Sequence, residues 1–129
     1  MLSDITPHPT LPTKDLATAR AFYEDVLGLS VSIEYEGEMV LYNSGAGKVL
    51  LYRSAFAGSN QATAAGWQDA DIADTIADLR AKGVQFDTFE MDEITWEDGV
   101  ATMPDGSKNV WFRDPDGNIL SVGSVNVGD

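Results

Sequence analysis

The chain has 129 residues, about the size of one domain, and 43% are hydrophobic, so it can bury one substantial core without covalent staples. It has no cysteine, which excludes disulfides, thiolate nucleophiles and cysteine-ligated zinc. Eight Lys and Arg against 21 Asp and Glu give a net charge of −13, which disfavours nucleic acid and anionic membrane surfaces and serves either attraction of a cationic ligand or plain solubility.

At the N-terminus, residues 1–13 lack the basic and apolar regions of a signal peptide. No apolar run reaches the roughly 18 residues of a membrane span. With the missing cysteines, this predicts a cytoplasmic setting. Residues 5–11 read as a first strand, and Pro9 and Pro12 mark it as an edge. Asp15 follows as a helix cap, and Leu16, Ala19, Phe22, Tyr23, Val26 and Leu27 recur at helical spacing until Gly28. Strands are predicted over 29–35, 39–42 and 49–53, separated by Glu36-Gly37 and by Ser44-Gly45-Ala46-Gly47.

The pattern then repeats. Asp15-Leu16-Ala17 returns 56 residues later as Asp71-Ile72-Ala73. Residues 63–67 read as a strand. Asp71 caps a helix with the stripe Ile72, Ile76 and Leu79, and Gly83 closes it. Strands are predicted over 84–89, 109–113 and 119–122, the last two joined by the turn Asp114-Pro115-Asp116-Gly117-Asn118. The stretch 90–107 reads as a loop with a short strand near 100–103. The expected organisation is one domain over 1–129: module one about 1–54, a linker about 55–61, and module two about 62–129. Each module has the order βαβββ. One module cannot bury its sheet face alone, and two can close around a cavity with the helices outside.

Two strings carry a resemblance. They are Lys14-Asp15-Leu16-Ala17-Thr18-Ala19-Arg20-Ala21-Phe22-Tyr23-Glu24-Asp25-Val26-Leu27-Gly28-Leu29 and Phe112-Arg113-Asp114-Pro115-Asp116-Gly117-Asn118-Ile119-Leu120. In this order they resemble the vicinal oxygen chelate superfamily, which includes glyoxalases, extradiol dioxygenases, fosfomycin-resistance enzymes and bleomycin-resistance proteins. The resemblance covers nearly the whole chain and does not single out one activity. It implies an α+β fold in which two βαβββ modules form a curved mixed sheet. It also implies a homodimer, which the edge strand at 5–11 invites.

Metal-using members of that superfamily hold a divalent cation with His or Gln on the first strand, Glu on the fourth, His on the fifth and Glu on the eighth. Such ligands suit zinc, nickel, manganese or iron, which then polarise a substrate oxygen or activate water. Here those positions fall on His8, on or beside Leu50, on Ala64 or Ala65, and on Ser121. One of four ligands remains, and His8 is the only histidine. The ligand count predicts no metal and no other cofactor, and it disfavours a metal-dependent lyase or dioxygenase. Whether the chain is an enzyme stays open. His8 is the one candidate acid or base, with packing against the strand as its plainer role.

Strand alternation predicts which side chains share the cavity. His8 brings Thr10, Leu50 brings Tyr52, the Ala65 position brings Trp67, Ser121 brings Ile119, and Trp111 joins from the strand before the turn. The expected site is His8, Thr10, Leu50, Tyr52, Trp67, Trp111 and Ser121. That is an aromatic cup for a planar or hydrophobic small molecule, or a core filled by its own aromatics. Other chemistries lack a motif: Gly45-Ala46-Gly47-Lys48 has no P-loop spacing, and Asp114 and Asp116 sit where turn aspartates bond their own backbone. The predicted function is small-molecule binding of the bleomycin-resistance type. The alternative is a metal-dependent enzyme with non-standard ligands.

Overall fold

The structure, a computed structural model, describes residues 1–124, and the end of the second expected module lies outside them. The architecture is α+β, as the sequence predicts. Two compact units are distinguished. One is Met1–Ala64 with Asp114–Asn118, and the other is Ala65–Arg113 with the last strand.

The first unit holds β1 (Thr10–Thr13), α1 (Leu16–Ala21), β2 (Ser30–Tyr35), β3 (Met39–Ser44) and β4 (Gly47–Arg53). The sheet order is β1-β4-β3-β2, with β1 parallel to β4 and the other pairs antiparallel. Parallel pairing needs a crossover, and α1 begins it. Burial alternates along β1, β3 and β4, while the edge strand β2 is exposed throughout. Leu11, Val40, Tyr42, Val49 and Leu51 are buried together with Ala19 and Tyr23 of the helical segment. Tyr23 stacks on Tyr42 with centroids 6.2 Å apart, so this is the face that carries α1.

Three expectations change in this unit. Residues 5–9 are not strand; β1 starts at Thr10. Pro7 and Pro9 have no N–H to donate to a ladder, although the Pro9 carbonyl still accepts from Leu50 N at 2.9 Å. The predicted continuous helix is α-helical only to Ala21, and Phe22–Val26 is π-wound, with Leu27 N donating to Phe22 O at 3.0 Å. β3 and β4 run further into their turn than the sequence predicts. The caps hold as read: the Asp15 carboxylate accepts from Thr18 N at 3.2 Å, and Gly28 takes φ 74.

The turn 114–118 completes this unit. Asp114, 5% exposed, accepts four hydrogen bonds: Tyr23 Oη at 2.5 Å, Asn118 Nδ2 at 2.8 Å, and the backbone N–H groups of Asp116 and Asn118 at 2.9 Å each. Asn118 Nδ2 also donates to Pro12 O, and Asp116 Oδ1 accepts from Lys14 N. Both aspartates are therefore committed to backbone and core, as turn chemistry predicts.

The second unit holds β5 (Thr63–Gln68, shared at its start with the first unit), α2 (Ile72–Ala81), β6 (Thr95–Glu97), β7 (Val100–Thr102), β8 (Lys108–Arg113) and β9 (Ile119–Gly123), in the sheet order β5-β9-β8-β7-β6. Ile72, Ile76 and Leu79 of α2 are buried, as are Ala65, Val110, Phe112, Leu120 and Val122 of the sheet. Asp71 stands at the N-cap position without a side-chain cap bond. Asp69 braces the helix start from outside, accepting from Asp71 N at 2.8 Å and from the Thr75 hydroxyl.

The predicted strand over 84–89 is reduced to a single bridge, Asp87 to Trp111. The reason is competition for one edge: β7 takes the start of β8 through Ala101↔Asn109 and Thr102↔Lys108. The 90–107 loop contains more order than predicted. β6 and β7 form a hairpin around Asp98 and Gly99, at φ 50 and 78, which is the two-residue turn that Asp-Gly favours.

Candidate functional site

Each unit presents a sheet face opposite its buried one, and the predicted residues divide between the two. In the first unit, Thr10 pairs with Leu50 and Pro12 with Tyr52, so Thr10, Leu50 and Tyr52 share the face away from α1. The cross-strand rows extend it. Leu50 lies opposite Leu41, which lies opposite Ile33. Tyr52 lies opposite Met39, which lies opposite Tyr35. Several of these side chains are open to solvent, Ile33 at 50% and Tyr35 at 61%. His8 is exposed and precedes β1, and its carbonyl is 3.5 Å from the Thr10 hydroxyl.

In the second unit Trp111 lies directly opposite Ser121 on the neighbouring strand. Two further rings gather there. Phe89 meets the Trp111 ring edge-on at 5.7 Å between centroids, and Trp96 meets it at a tilt at 5.9 Å. All three rings are half-buried. Ile119 shares the Ser121 face but is buried, so it packs as core.

Trp67 does not join Ser121. A Cβ built on Gly66 would stand 2.9 Å from Ser121 Oγ, so Gly66 shares the Ser121 face and Trp67 projects to the other. Strand alternation has period two, and choosing Ala65 rather than Ala64 as the inward residue inverts every side chain of β5. The structure selects Ala64.

Phe89 and Trp96 were missed. Trp96 had a legible signal: Thr95-Trp96-Glu97 and Val100-Ala101-Thr102 flank Asp98-Gly99, the strongest short hairpin string in the chain. Phe89 had none, because its place depends on the one-residue bridge at Asp87.

The implied metal does not fit these residues. The four positions hold an exposed imidazole, a leucine, an alanine and a serine hydroxyl. Among the described residues no three His, Cys, Asp or Glu side chains are grouped to hold an ion.

The buried titratable groups serve the first unit's packing. Burial, then the charge of Asp114, push the Tyr23 hydroxyl far above the ordinary tyrosine range, so it remains a donor. The Tyr42 hydroxyl is raised by burial and by its bond to Glu24, which it meets at 2.8 Å. Glu24 is lowered chiefly by Arg20, whose Nε donates to it at 2.7 Å. An open cleft of about 550 Å³ is lined by Thr13, Lys14, Glu38, Arg53, Ser54 and Ala55, and none of the predicted site residues lines it.

Comparison with known proteins places this geometry. A family model described as Glyoxalase/Bleomycin resistance protein/Dioxygenase superfamily matches residues 5–122. An uncharacterized protein, YraH of Bacillus subtilis strain 168, is 30% identical over 126 residues, covering 87% of this chain and 91% of its own. Two solved structures share the fold. A bleomycin resistance determinant encoded on the transposon Tn5 superposes with a TM-score of 0.70 at 18% identity, over 95% of this chain and 98% of that one. A lactoylglutathione lyase from Agrobacterium tumefaciens gives 0.69 at 24% identity, over 92% and 91%. No described helix is long and apolar enough to cross a membrane.

Proposed function

The chain belongs to the glyoxalase/bleomycin resistance protein/dioxygenase superfamily, and from that premise we propose that it is a metal-free small-molecule-binding protein that holds its ligand by aromatic stacking. The observation that carries this reading is the Phe89–Trp111–Trp96 group beside Ser121. Its rings offer stacking surface, and Ser121 offers one hydroxyl to orient a polar substituent. Separately, the first unit presents a largely apolar face with the Thr10 hydroxyl, Leu50 and Tyr52, and His8 precedes its first strand. Metal chemistry is disfavoured because the ligand positions carry carbon and hydroxyl where nitrogen and carboxylate are needed. The fold shared with a bleomycin resistance determinant agrees with ligand sequestration. We place the protein in the cytoplasm as a homodimer.

Tryptophan fluorescence tests the reading. Titration with a panel of planar aromatic antibiotics is expected to give saturable quenching that Trp111→Leu weakens at least tenfold and Trp67→Leu leaves in place. Silence across the panel would refute sequestration. A stoichiometric transition metal in purified protein, lost on His8→Ala, would refute the metal-free part. Light scattering that returns a monomer would refute the dimer.

A further inference from the structure

We propose that the ligand surface of the first unit selects a monoanionic, carboxylate-bearing apolar molecule, and that Lys48 is the residue that recognises the carboxylate. The inference deepens the small-molecule-binding reading above and rests on it. It begins with a contrast between global and local charge. The chain carries 21 acidic residues and a net charge of −13, which serves either attraction of a cationic ligand or plain solubility. The face of the first sheet away from α1 has the opposite character.

Strand register identifies the members of that face. They are Thr10 and Pro12 of β1; Ser30, Ile33 and Tyr35 of β2; Met39, Leu41 and Asn43 of β3; and Lys48, Leu50 and Tyr52 of β4. No carboxylate is among them. The strand's one glutamate on β2 before Tyr35, Glu34, lies opposite buried Val40 and is paired with Arg20 at 2.5 Å. Lys48 is the face's one cation.

Lys48 is also held in place without being neutralised. Its ammonium donates to Ser32 Oγ at 3.3 Å and to Asn43 Oδ1, both uncharged. Asn43 Nδ2 donates in turn to Ser30 Oγ at 3.3 Å. Arg20, Arg53, Lys82 and Arg113 are each ion-paired with Asp or Glu, whereas Lys108, like Lys48, donates to a neutral hydroxyl, that of Thr102 in the second unit. An ammonium has three donors, and two are engaged here, so one remains for a ligand. Beside it run Leu50, Leu41 and Ile33, with Tyr52, Met39 and Tyr35 in the next row. The surface is thus apolar with a cationic end. A single ammonium balances one negative charge; a dianionic phosphate would leave a second charge facing a strongly acidic protein.

The test uses phenylbutyrate and its uncharged isostere phenylbutanamide, followed by the methyl NMR shifts of Ile33, Leu41 and Leu50. Phenylbutyrate is expected to bind three- to tenfold tighter than the amide at low salt. That preference should shrink as salt is added, vanish in Lys48→Met and survive in Lys48→Arg. Lys48 is exposed, so these variants should fold. Equal binding of acid and amide, with methyl shifts unaffected by Lys48→Met, would overturn the anion selectivity and leave small-molecule binding standing. Methyl shifts that move with neither probe would overturn the inference outright, while the fluorescence titration judges the broader reading separately.

Discussion

In the first unit the strand that follows the helix, β2, is six residues long and pairs with β3 over almost its whole length. In the second unit the corresponding segment touches its sheet through one bridge, Asp87 to Trp111, and a short hairpin occupies the remaining edge. The aromatic group is built from that departure. Phe89 follows the bridge, and Trp96 sits on the hairpin. Both repeats open with a strand and a helix, yet the first continues into a paired strand and keeps a polar core bond at its heart, and the second replaces that strand with one bridge and gathers rings there. Where a repeat departs from its twin, the departure is the place to look for function.

The comparison breaks first at Asp114. Replacing it with alanine takes the acceptor from the Tyr23 hydroxyl and from the backbone N–H groups of Asp116 and Asn118, and leaves Asn118 Nδ2 with Pro12 O alone. Unfolding in urea should show a loss of about 3 kcal/mol or more. Tyr23→Phe removes one bond to a charged group and should cost about 1.5–3 kcal/mol. If Asp114→Ala is no worse than a surface change, the first unit does not depend on that network.

A smaller effect separates the two helix starts. Asp15→Ala should lower Tm by a few degrees, because Asp15 is the cap that holds Thr18 N. Asp71→Ala should leave Tm nearly unchanged, and Asp69→Ala should lower it, since Asp69 holds the backbone of Asp71 and the hydroxyl of Thr75. Equal effects of Asp15→Ala and Asp71→Ala would restore the symmetry of the repeats.

The smallest expected effect is the pH dependence that Glu24 gives the first unit. Glu24 has a carboxyl pKa lowered by its bond from Arg20, so the folded state holds its proton more weakly than the unfolded chain. Its contribution is complete above the ordinary glutamate range, about 4.3, and fades as pH falls through the lowered value. Glu24→Gln should flatten stability against pH in the acid range. An unchanged slope would show that Arg20 and Tyr42 do not favour the charged form.

Much of this protein was legible as a string. Asp15 and Gly28 marked a helix start and stop because capping depends on neighbouring backbone groups. Asp114-Pro115-Asp116-Gly117-Asn118 announced its turn because aspartate and asparagine bond their own main chain. Alternation set Trp111 away from the core, and the burial of its neighbours Val110 and Phe112 agrees. These signals act over a few residues, so the sequence alone determines them. Tertiary structure decided the rest. Trp67 changed faces because a one-residue choice of register is invisible along a strand of small residues. The strand expected at 84–89 became a bridge because another segment competes for the same edge. Lys48 stands beside neutral partners because distant strands were brought into register. Such outcomes depend on which segments meet across the chain, and local propensity carries no information about that.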